Sequence, residues 1–175
     1  GERRSRIELC LRDRDRGRHA LGAIHADADV TGPWRHIPAV GNRDGDPWGP
    51  AVIGFVRMET AIKTGDVDAA VRIGPTTAAA FRQLDDSWGL SATLYHFGWG
   101  LRQFGRYEAG ARALEEAIDV ARGAGLWNTA QWALADLAIE KVHLGDHDTA
   151  RRLFDEAAAA SREIGDGAGE VLAGY

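Results

Sequence analysis

The stretch FGWGLRQFGRYEAG, residues 97–110, sets glycines at 98, 100, 105 and 110 in a run otherwise suited to a helix. Glycine this dense fits two chemistries: a backbone loop that cradles phosphate, or helices packed too closely for a larger side chain. A phosphate loop needs a preceding strand and glycines at the mouth of a helix. Residues 87–96, SWGLSATLYH, show no strand alternation, and no Gly-Lys-Ser/Thr follows. Histidine offers a second chemistry: HLGDHD (143–148) gathers His143, Asp146, His147 and Asp148. On an unbroken helix His143 and His147 would share a face. Gly145 between them predicts a turn instead, and no further His or Cys cluster completes a ligand set of known spacing. A Gly-x-Ser-x-Gly nucleophile motif is missing, and Glu115-Glu116 in ARALEEA reads as the solvated face of a helix. No catalytic residue, metal site or cofactor is expected, and the chain reads as a non-enzyme.

The elements that carry these residues are set by a repeat. TGDVDAAVR (64–72), FGRYEAGAR (104–112) and LGDHDTARR (144–152) lie in one register, with Gly65, Gly105 and Gly145 spaced by 40 residues. Trp48, Trp88 and Trp127, spaced by 40 and 39, mark a second boundary. Each unit reads as two helices. The first opens near the tryptophan, with N-caps at Asp46 before Pro47, at Asp86 or Ser87, and at Asn128 with Gln131 three residues on. It closes at the repeating glycine, which can take the left-handed conformation that ends a helix. Asp66 and Asp146 cap the second helix, whose apolar face is carried by Ala109, Ala113, Ala117, Val120 and Ala121. Gly74-Pro75 falls inside the second helix of repeat one, where a proline costs ~3 kcal/mol. Two helical pieces are predicted there, with Pro75 in the first turn of the latter. An unbroken straight helix over 66–85 would count against the register of repeat one.

Helix pairs this short cover their apolar stripes only by stacking on neighbours. The expected fold is an all-α solenoid of antiparallel helix pairs. Repeats span about 48–86, 87–125 and 126–165, with a partial fourth at 166–175. Residues 1–46 form an N-terminal arm or a degenerate upstream repeat, and 47–175 the repeat domain. Gly98 and Gly110 are assigned to close helix packing, Trp48, Trp88 and Trp127 to the core between repeats, and Gly100 has no assignment.

Residues 91–118 resemble the tetratricopeptide repeat, with Gly98 at the small position of the first helix, Gly105 at the turn, Tyr107 after it and Ala117 at the small position of the second helix. The period is 40 rather than 34, Met58 and Ala138 replace the first-helix glycine, and the terminal proline is missing. The longer form, with D-x-W-G openings and G-D-x-x-x-A-R turns, is similar to the tetratricopeptide regions of large bacterial transcriptional regulators that also carry ATPase and DNA-binding modules. That resemblance implies a binding groove lined by the first helices. The groove residues it implies are Phe55 and Glu59, then Tyr95, Trp99 and Arg102, then Trp132 and Ile139, with Val52, Lys63, Gln103, Ala135 and His143 at the remaining positions. A packing role between helices is the other reading of Trp99 and Trp132.

Composition narrows the partner. The 175 residues carry a net charge of −5 with 45% hydrophobic and 27% charged residues, ordinary for a soluble globular protein. Direct nucleic-acid binding and an anionic membrane surface both call for a basic face, so neither is expected. The nine Arg of residues 1–50 nearly balance eight acids, and seven of them fall in the first twenty residues. That alternating run reads as a solvated arm. One cysteine, Cys10, excludes a disulfide framework. No run reaches the ~18 apolar residues of a membrane span, and the Arg-rich start lacks a signal-peptide core. A cytoplasmic chain is expected. Only Lys63 and Lys141 are lysines among 21 basic residues, a usage associated with GC-rich bacterial genomes. The expected function is a protein-protein interaction module binding a partner segment or domain. The alternative is a regulatory domain that senses a small-molecule effector in the same groove. An uncovered face on the last repeat would also allow a homodimer.

Overall fold

The computed structural model describes residues 46–164, with side chains to Arg162. These belong to the second of the two units into which the chain divides, residues 1–39 and 40–175. The expected N-terminal arm and the partial fourth repeat lie outside the described residues.

Six helices alternate in direction: α1 Trp48–Thr64, α2 Val67–Gln83, α3 Ser87–Gln103, α4 Tyr107–Gly123, α5 Trp127–His143 and α6 His147–Ile164. No strand occurs among the described residues. The helices pair as α1/α2, α3/α4 and α5/α6, which makes this an all-α stack of helical repeats. Each helix packs on its sequence neighbours, and α1 also packs on α3, and α3 on α5. The first helices of the pairs therefore form one tight layer. The second helices form a looser one, joined across by ion pairs between Arg82 and Glu116 and between Arg122 and Glu156.

Five turns of one design set the period. Gly65, Asp85, Gly105, Gly125 and Gly145 all have positive φ, between 53° and 79°. In each turn the next amide reaches back to the carbonyl five residues before it, as Asp66 does to Ala61 (2.9 Å) and Asp146 to Lys141 (2.9 Å). The 40-residue repeat is thus two 20-residue steps, a halving that the sequence reading does not make. Asp85 hides it, being the one residue with a side chain in a series of glycines.

Capping follows expectation at three aspartates. Asp66 accepts from the Ala69 amide (3.0 Å), Asp86 from Gly89 (3.0 Å) and Asp146 from Thr149 (3.2 Å). Asp46 accepts from the Trp48 amide at 3.0 Å, one residue ahead of Pro47 at the cap position itself. Asn128 does not cap. The left-handed Gly125 places the boundary at Leu126, which has no side-chain cap, and Asn128 lies inside α5.

Two further expectations are corrected. Helix α2 runs unbroken through Pro75. The proline ring faces solvent, and burial of Ala70, Thr77, Ala78 and Phe81 on the same helix offsets the lost amide bond. The register of repeat one stands even so, because Gly65 and Asp66 perform the same roles as Gly145 and Asp146. Trp127 is not core: it is 55% exposed. Its spacing of 39 makes it the counterpart of Ser87, one residue ahead of the position of Trp88, and one residue turns a side chain by about 100°. Trp48 does link repeats, though half-buried: its indole Nε1 donates to Asp86 Oδ2 at 2.8 Å.

Close approach accounts for the remaining glycines of residues 97–110. A Cβ at Gly98 would lie 3.0 Å from the Gly110 carbonyl and 2.7 Å from Leu114. At Gly100 it would lie 2.4 Å from Ile62 Cδ1, so α1 and α3 meet there with no room for a methyl group. The core is rich in alanine, with Leu114, Ala117, Ala121, Ala133 and Ala138 fully covered. Among the described residues no helix is long and apolar enough to cross a membrane.

Candidate binding face

The first-helix layer gathers most of the residues named from the sequence, in two joints. At the α1/α3 joint, Glu59 is buried, with its Oε1 3.0 Å from His96 Nδ1 and its Oε2 3.6 Å from Lys63 Nζ. The His96 contact is a hydrogen bond only when Nδ1 carries the proton. Burial alone would raise the Glu59 carboxyl. His96 and Lys63 together overcome that and hold it below its ordinary value. The His96 ring stands edge-on to Phe55 (5.3 Å) and to Tyr95 (5.1 Å).

At the α3/α5 joint, Arg102 Nη2 donates to Asp136 Oδ1 at 2.6 Å, and both side chains are only 13% exposed. Arg102 Nη1 donates to the Asp136 carbonyl at 3.4 Å and lies 3.9 Å from Glu140 Oε1. Glu140 is fully buried, and neither carboxyl oxygen has a hydrogen-bond partner. Its carboxylate lies against Gly110, where a Cβ would approach to 3.1 Å. Burial pushes the Glu140 pKa to about 7; Arg102 opposes the shift and Asp136 adds to it. Tyr95 is likewise raised, by burial first and then by the neighbouring Asp136 carboxylate.

Of the expected groove residues, Phe55 and Glu59 are buried in the α1/α3 joint, and Arg102 is mostly covered and committed to Asp136. Tyr95, Trp99, Trp132 and Ile139 are half-buried and keep part of their surface open. Ala135 is buried, while Lys63, Gln103 and His143 are exposed. His143 stacks on Tyr107 at the α4 start, with centroids 4.4 Å apart, instead of joining the groove.

Sequence reasoning misses His96, Asp136 and Glu140. A signal for Asp136 was present: Arg82, Arg102 and Arg122 each meet an acid 34 residues on, at Glu116, Asp136 and Glu156, in steps of 20. Among the described residues, no group of three His, Cys, Asp or Glu is placed to hold a metal ion. In comparison with known proteins, the chain matches no family model and no curated protein.

Proposed function

We propose that this chain is a non-catalytic binding module that holds a segment or domain of another protein against its first-helix layer. The observation that carries this reading is the surface left open by Tyr95, Trp99 and Trp132 on the two helices that the mostly covered Arg102–Asp136 pair joins. Large aromatics and arginine are the usual makeup of interface hot spots. All three aromatics sit on helices whose backbones are fixed by direct packing of α3 on α5. A rigid platform of this kind binds without a large ordering cost.

The setting we propose is the tetratricopeptide-like region of a bacterial transcriptional regulator, working in the cytoplasm. The D-x-W-G openings and G-D-x-x-x-A-R turns support it, and the coding sequence around this chain should then hold an ATPase or DNA-binding module. The binding reading is tested by the Trp99→Ala, Trp132→Ala double variant. It should lose a partner that the parent chain retains in a pull-down, with unchanged helical circular dichroism. Retention of that partner by the double variant would remove the assignment of this face.

A further inference from the structure

The looser layer contains a cleft of about 500 Å³ between α2 and α4, floored by α3. Its volume falls within the range of small-ligand pockets, about 300–1,000 Å³. The floor is made by Leu94, Phe97 and Leu101 with Thr93, whose hydroxyl donates to the Gly89 carbonyl, and the walls by Val71 and Ala78 from α2 and Ala113 from α4. The charged residues that line it are Arg82, Arg106, Arg112 and Glu116. Arg82 and Glu116 neutralise each other. Arg106 and Arg112 are exposed and have no acidic partner among the described residues. Two unpaired guanidinium groups beside a mostly apolar floor, on a chain of net charge −5, make a local field opposite in sign to that of the whole.

The repeat supplies an internal control, because every residue of the cleft has a counterpart 40 positions on. Gly74 gives the Phe97 ring its place, since a Cβ there would lie 2.4 Å from Phe97 Cδ2. Its counterpart is Leu114, a fully buried side chain. Pro75 has no amide to bond the Val71 carbonyl, so a backbone acceptor in the cleft wall lacks its helical donor. The counterpart of Pro75 is Glu115, which accepts from Lys141 at 2.9 Å. Arg106 becomes Asp146, a helix cap. Three departures from the repeat, at 74, 75 and 106, converge on one cleft.

We propose that this cleft is a binding site for a small organic monocarboxylate, its apolar body on the Leu94–Phe97 floor and its carboxylate between Arg106 and Arg112. Guanidinium groups recognise carboxylates by paired, charge-assisted hydrogen bonds. The site is on the opposite layer from Trp99 and Trp132 and does not depend on the partner-binding reading.

Decanoate titrated into the 175-residue chain by calorimetry tests it, with decan-1-ol as the uncharged probe. Saturable one-to-one binding of decanoate is expected, weaker by at least about tenfold for decan-1-ol and for the Arg106→Ala, Arg112→Ala variant. Both arginines are exposed, and unchanged circular dichroism verifies that the variant is folded. Arg152→Ala, the counterpart of Arg112 in the next repeat, should bind decanoate as the parent does, as should the Trp99→Ala, Trp132→Ala variant. No saturable binding overturns the proposal. So does equal binding of the two probes, or decanoate affinity unchanged in the double arginine variant, since either reduces the site to non-specific apolar contact.

Discussion

The junction between repeats one and two and the junction between repeats two and three share a register and differ in chemistry. In the tight layer, Ile62 presses on Gly100 at the first junction, where a Cβ would come within 2.4 Å. Forty residues on, Arg102 lies 3.9 Å from Glu140. His96, facing Glu59, becomes Asp136, facing Arg102. In the loose layer, Gly74 and Pro75 leave a cleft where Leu114 fills space and Glu115 bonds Lys141. The left-handed turns and small covered residues hold the helices at one spacing. Positions between them are then free to be apolar at one junction and charged at the next. The first junction keeps open volume and pairs its buried carboxylate, Glu59, with His96 and Lys63, whereas the second buries Glu140 with no hydrogen-bond partner.

The comparison is broken most severely at Leu114. Leu114→Ala should cost about 2–5 kcal/mol, since the side chain has no exposure and its removal leaves a cavity. Urea denaturation measures this, and a cost near zero would mean the second junction is not filled in the way described. Imposing the second junction on the first is the next largest change. Gly74→Leu should cost about 1–3 kcal/mol because the Phe97 ring must move. Adding Phe97→Leu, the residue found at 137, should recover much of that loss in a double-mutant cycle. Strictly additive losses would show that the two sites are not in contact.

The buried charge is read through pH. Glu140 has a folded pKa of about 7, above its ordinary value, so the folded chain holds a proton that the unfolded chain has released. Its contribution is fully present below the ordinary carboxyl value of 4.5, falls as pH rises from there to about 7, and is lost above it. Stability should therefore decline by roughly 1–3 kcal/mol between pH 5 and pH 8, and Glu140→Gln should flatten that slope. Glu59 is held low, so its effect falls below this window, where acid protonates it and stability is lost. A parent-like slope in Glu140→Gln would assign the pH response to another group. The smallest effects are expected where the junctions agree. Arg82→Ala and Arg122→Ala each remove one exposed ion pair, and each should cost less than about 1 kcal/mol, by similar amounts. A large difference between the two would show that the loose layer is not equivalent at both junctions.

Much of the fold is legible in the sequence alone. The glycines at 65, 105 and 145, followed by aspartate at 66 and 146, carry turn and cap chemistry in residues that are adjacent in sequence. Pro75 misled because its local cost is real, yet the helix around it is held by Phe81 and Ala78, whose partners lie elsewhere in the chain. Trp127 misled because a spacing of 39 resembles one of 40 on paper, while on a helix it points elsewhere. The candidate face was legible as a set of positions, through Tyr95, Trp99 and Trp132. It was not legible that Glu59 and Arg102 are spent on His96 and Asp136, because those pairings join residues 37 and 34 apart.

The sequence by itself determined an all-α repeat, the place of its main turns and the polarity of each helix, because each is written in residues within one or two helical turns. Only the tertiary structure decided why Gly100 is a glycine, where Glu140 is buried, and that Gly74, Pro75, Arg106 and Arg112 meet at one cleft. The physical reason is that burial and ion pairing depend on what a neighbouring helix brings, and stacking alone sets which residues become neighbours.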